Sequence, residues 1–172
     1  MNCPLDCVYL EESRGRDKAP ILNPDTFPNQ DIRITDQFLK KHEWLLLALS
    51  SQLVHTSLAR AGVIDYDVRE ALGSLIQTYR TLDSGLLYES RPANPLAALL
   101  YEEIQAAVRA LSERVKKSGG NASIRDTEIL GVLVFLQRLE LQHNNGRHKG
   151  RAFIDFLKYF FPQKANEPVV QL

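Results

Sequence analysis

The chain has 172 residues, with 21 lysines and arginines against 21 aspartates and glutamates, so its formal net charge is zero. At 44% hydrophobic and 24% charged residues, the composition is that of one globular domain rather than of a disordered or membrane chain. A balanced charge excludes a global field that would recruit nucleic acid or anionic membrane, and no apolar run reaches the roughly 18 to 20 residues needed to span a bilayer.

Residues 1–34 carry Pro4, Pro20, Pro24 and Pro28 and no sustained period, which predicts an irregular N-terminal arm. No basic stretch followed by an apolar run opens it, so a soluble cytoplasmic protein is expected. Cys3 and Cys7 stand in a CxxxC spacing with no second pair at zinc-ribbon distance. Free thiols are expected there, a redox disulfide or a partial metal site being the alternative.

A first helix is predicted from Thr35 or Asp36 to about Arg60, stopping at Gly62. Phe38, Leu45, Leu46, Leu49 and Leu53 form its main stripe, on which His42 also lies. A second is predicted to open at Asp67-Val-Arg-Glu70, a capping box with Asp as the cap, and to run to about Glu89. Its apolar positions, Val68, Ala71, Leu72, Leu75, Ile76, Tyr79, Leu82 and Leu86, repeat without a miss, with Asp83 on the same stripe.

Asn94 and Pro95 mark the start of a third helix, which Lys116, Lys117, Gly119 and Gly120 end. Glu103 takes an apolar place on its stripe. The fourth, from about Ile124 to His143 with Ser123 as cap, is apolar on every face from Ile129 to Leu136, as expected of a helix surrounded by others. A last helix carries Phe153, Phe156, Leu157, Phe160 and Phe161 on one face and ends at Pro162. The expected fold is therefore all-α: an up-down-up-down four-helix bundle within residues 35–162, a fifth C-terminal helix, the arm, and a mobile tail over 163–172.

Five polar residues fall on bundle-facing positions: His42, Asp83, Glu103, and the E-x-x-H pair Glu140 and His143. If neighbouring helices alternate in direction, all five lie within roughly 12 Å of one end, at 1.5 Å rise per residue. Inward carboxylates and histidines are how bundles hold iron or manganese, zinc being a further alternative, so a metal or small-ligand site is one reading. The other is a structural cluster, its acids paired with Tyr79, Arg80, Tyr88, Arg91 or Arg138.

Arg147, Lys149 and Arg151 lead into the N-terminus of the last helix and make a candidate anion site. Phe153, Phe156 and Phe160 make a candidate interface. No nucleophile elbow, Walker loop, dinucleotide fingerprint or zinc-protease helix occurs. The expected function is a non-enzymatic protein-protein interaction module, acting on a partner or on itself and needing no cofactor. The alternative is an interior carboxylate and histidine site for a metal or small ligand; nucleic-acid binding ranks third.

Overall fold

The computed structural model describes residues 27–160. These form six helices and, among the described residues, no strand: α1 (Asp36–Lys41), α2 (Glu43–Ala59), α3 (Asp65–Asp83), α4 (Pro95–Lys117), α5 (Asp126–His143) and α6 (Ala152–Phe160). None is long and apolar enough to cross a membrane. Cys3, Cys7, most of the arm, Phe161 and the tail lie outside the described residues.

The first expected helix is broken in two. Thr35 caps α1 by accepting from the Phe38 amide at 3.1 Å. His42 then leaves helical geometry, with φ −109° and ψ 18°. No proline or glycine marks the break; His42 packs against Phe38 (ring centroids 4.5 Å apart, planes tilted by 48°) and approaches Glu128.

Helix α3 starts at Asp65, and Asp67 sits inside it rather than capping it. Its carboxylate accepts from the Ile64 amide (2.9 Å), which is the reciprocal half of a capping box. The helix ends at Asp83, short of the expected Glu89. Gly85 adopts φ +78°, the Leu86 amide donates to the Thr81 carbonyl and the Gly85 amide to that of Leu82. This is a Schellman stop, built on a glycine in the left-handed region.

Helix α4 begins as expected, with the Asn94 side chain accepting from the Leu96 amide at 3.0 Å and Pro95 in the first turn. Helix α5 starts at Asp126, after Arg125 rather than Ser123, with Glu128 accepting from the Arg125 amide. Ile129 to Val134 and Leu136 are buried, as an all-apolar segment requires. Gly131 lies there because a Cβ would run into the Phe38 ring of α1.

The four long helices share one core, and close packing joins α3 to α5, α3 to α4, and α2 to α4. Chain neighbours α2 and α3 are not a closely packed pair, nor are α4 and α5. Arg69, early in α3, bonds Glu140 at the end of α5, so these two run antiparallel. Asp67, Thr78 and Tyr79 bond Asn94, Tyr101 and Gln105 in that order. Helices α3 and α4 therefore run in the same direction.

The reason is the connection 84–94, which doubles back along α3. Thr81 Oγ1 lies 2.8 Å from the Tyr88 carbonyl oxygen, the Ser90 amide donates to Thr78 Oγ1 at 2.9 Å, and Asn94 Nδ2 donates to Asp67. An alternation of direction at every loop does not extend to this pair. Residues 27–34, expected in the irregular arm, are pinned to the body: Asn29 bonds Arg80 and Gln137, and Arg138 donates to the carbonyls of Asn29 and Ile32.

Candidate functional site

The direction of α4 decides where the five polar candidates go, and they do not converge. His42 is buried at the end where α2 and α5 begin, 3.8 Å from Glu128. Asp83 is exposed at the end of α3. Glu103 is exposed midway along the molecule and accepts from Gln52 at 3.3 Å. Glu140 and His143 lie at the opposite end from His42. His143 stacks on Phe156, ring centroids 3.6 Å apart and planes within 12°, and burial lowers its pKa. Among the described residues no group of three or more histidines, cysteines and acids is arranged to hold a metal ion.

Glu140 is the member with a built surrounding. Its carboxylate is fully buried and accepts from Arg69 Nε and Nη2, both at 3.0 Å, in a side-on bidentate pair. Burial pushes the Glu140 pKa up and Arg69 pulls against it, while the Glu140 carboxylate holds the guanidinium protonated. The arginines and tyrosines expected to serve the acids are engaged elsewhere: Arg80 with Asp31, Arg91 with Glu89 and Glu102, and Tyr79 with Gln105. Arg69 was legible as a candidate. It stands three residues before Leu72 and seven before Ile76, on the α3 stripe, where a charge calls for a buried partner.

Above this pair opens a cleft of about 820 Å³, lined in part by Ile64, Tyr66, Arg69, Asn94, Leu141 and Arg147. Asp65 and Asp67 also line it, each of their oxygens accepting one hydrogen bond from the protein. Asp65 accepts from the amides of Phe153 (2.9 Å) and Ile154 (3.1 Å), and burial raises its pKa. Asp67 accepts from the Ile64 amide and from Asn94.

The bonds of Asp65 relocate the anion expected at the start of the last helix. Those amides are taken by a carboxylate from α3, so the N-terminus of α6 presents no open anion site. Of the expected cations, Arg147 lines the cleft, Lys149 is exposed, and Arg151 is turned away to the Ser57 carbonyl at 3.4 Å.

The aromatic face of α6 divides. Phe153 is fully buried and has no surface to offer a partner, and Phe156 is half-buried beneath His143; Phe160 is exposed. A second apolar surface lies in the connection after α3, where Leu86, expected on the α3 stripe, and its neighbours Leu87 and Tyr88 are 62%, 95% and 65% exposed. The signal for it was Ser84-Gly85, a helix stop placed before three large apolar residues. Comparisons of the chain with protein-family models, curated proteins and solved structures found no match.

Proposed function

We propose that this protein is a non-enzymatic protein-protein interaction module that associates with a second copy of itself through Leu86, Leu87 and Tyr88. The observation that carries the reading is the display of these side chains. The backbone beneath them is held at Leu86, Tyr88 and Ser90 by bonds to α3, while the side chains point away from the core. Holding them in place lowers the entropy that binding would otherwise cost. Exposed apolar patches of a few hundred Å² mark interaction sites, whereas single exposed leucines do not.

A second copy is the occupant because 21 cations and 21 anions leave two copies without net repulsion. Facing loops also bury Leu87 against its own counterpart in an isologous contact. The patch is smaller than the roughly 800 Å² per partner of a standard interface, so the dimer is weak and concentration-dependent. Sedimentation velocity across a concentration series checks this. Wild type should shift from monomer to dimer, and Leu87→Asp should stay monomeric with an unchanged melting temperature. A wild type that remains monomeric throughout, or a Leu87→Asp chain that dimerises equally well, overturns the reading.

A small-ligand function is favoured separately by the cleft over Arg69 and Glu140. The buried carboxylate already has a cationic partner, which turns that alternative from a metal towards an anionic ligand.

A further inference from the structure

We infer that the cleft between the start of α3 and the end of α5 binds a small organic monocarboxylate, held by the outer edge of Arg69. A guanidinium carries five N–H donors on two bidentate edges. Glu140 takes the Nε and Nη2 edge. The Nη1 donors and the second Nη2 hydrogen make no hydrogen bond within the described residues, and the side chain is 41% exposed where it lines the cleft. The buried carboxylate behind it fixes the plane of the fork. A ligand carboxylate therefore meets a preorganised donor pair and does not have to order a mobile arginine.

The remaining walls set the ligand class. Ile64, Tyr66 and Leu141 supply an apolar side, and the volume lies within the roughly 300 to 1,000 Å³ of small-molecule sites. Each oxygen of Asp65 and Asp67 already accepts one hydrogen bond, from a backbone amide or from Asn94, which holds both carboxylates in place. Glu140 is matched by the inner edge of Arg69, and Asp65 and Asp67 line the same cleft, so a ligand charge beyond the one carboxylate at the outer edge of Arg69 lies against acids. The fit is to one carboxylate on an apolar body rather than to phosphate or a dicarboxylate. This site lies apart from the Leu86 to Tyr88 loop, and its occupancy does not depend on self-association.

The test is a titration of the isotope-labelled full chain at neutral pH, followed by amide NMR shifts, with benzoate as probe. Benzyl alcohol serves as its uncharged counterpart and inorganic phosphate as the competing anion. Saturable shifts centred on Tyr66, Arg69 and Leu141 are expected with benzoate, with binding about tenfold or more tighter than that of benzyl alcohol. Phosphate should bind more weakly than benzoate.

Arg69→Met alone strands a buried carboxylate, so the variant to use is Arg69→Met with Glu140→Met, which replaces the pair by apolar groups. It should keep the melting transition and lose benzoate binding about tenfold or more. Tyr66→Glu, at an exposed position on the apolar wall, gives a second check in a chain that keeps the pair, and it should also weaken binding. Absent shifts at the cleft, equal binding of benzyl alcohol, tighter binding of phosphate, or undiminished binding by either folded variant overturns the assignment.

Discussion

Replacing Arg69 by methionine leaves the Glu140 carboxylate in a fully buried position with no counter-charge. Breaking such a pair costs about 3 to 5 kcal/mol, whereas removing both partners is close to neutral. In the single variant Glu140 loses the cation that pulls its pKa down, and the folded value rises further above the ordinary 4.5. A carboxyl whose folded pKa is raised supplies stability below its unfolded pKa and loses it as pH rises through the folded value. The deficit of Arg69→Met should therefore be largest at neutral pH and shrink in acid, as the buried carboxyl takes up its proton. Urea midpoints of wild type and variant across a pH series measure this. A deficit that does not change with pH would show that Glu140 is not the stranded group. Glu140 was legible in the sequence because it falls on an apolar stripe. Arg69 stands out on the α3 stripe in the same way, but that the two pair was not legible, because it requires knowing which helix runs alongside the end of α5.

At the scale of elements, five helices were legible from periodicity and one break was not. The start of α4 needed only Asn94 and Pro95, whose effects are local, and the structure has the Asn94 cap bond and Pro95 in the first turn. The end of α3 was missed because Leu86 continues the helical spacing, while Gly85 stops the backbone first. Periodicity reports which side chains are apolar, and it does not see a left-handed residue. Gly131 carries the converse case, a mid-helix glycine retained for close packing. Gly131→Ala should cost about 1 to 3 kcal/mol through the clash with Phe38. With Phe38→Leu already in place, the same change should instead stabilise by up to about 1 kcal/mol, the helix-propensity gain of alanine. A double-mutant cycle from denaturant unfolding reads the coupling. Additive effects would mean that Phe38 does not hold Gly131.

The whole molecule turns on one relation that local signals do not carry, the shared direction of α3 and α4. With the second helix expected to run to about Glu89, only a short connection remains before Asn94, and a short loop places α4 antiparallel to α3 and gathers five polar groups. The helix instead ends at Asp83, and the connection 84–94, with neither helix nor strand, is long enough to return along α3 and separate them. The return path sets a length requirement. From Asp83 back to the level of Asp67, α3 spans about 24 Å at 1.5 Å per residue. The chain from Asp83 to Asn94 reaches at most about 37 Å when fully extended. Removing Leu86, Leu87 and Tyr88 leaves about 27 Å, with almost nothing spare for turning out of the helix. Deleting these residues should break the bonds at Thr81, Ser90 and Asn94 and cost about 2 to 3 kcal/mol, near 1 kcal/mol for each bond lost. Replacing the same three residues by serine keeps the length and should leave stability within about 0.5 kcal/mol per site, as for other exposed positions. Urea unfolding read beside the sedimentation series separates the two roles of the segment. The serine chain should be as stable as wild type and monomeric, and the deleted chain unstable. If deletion is as harmless as replacement, the connection does not hold α4 parallel to α3. If the serine chain still dimerises, the exposed side chains of this loop are not the contact.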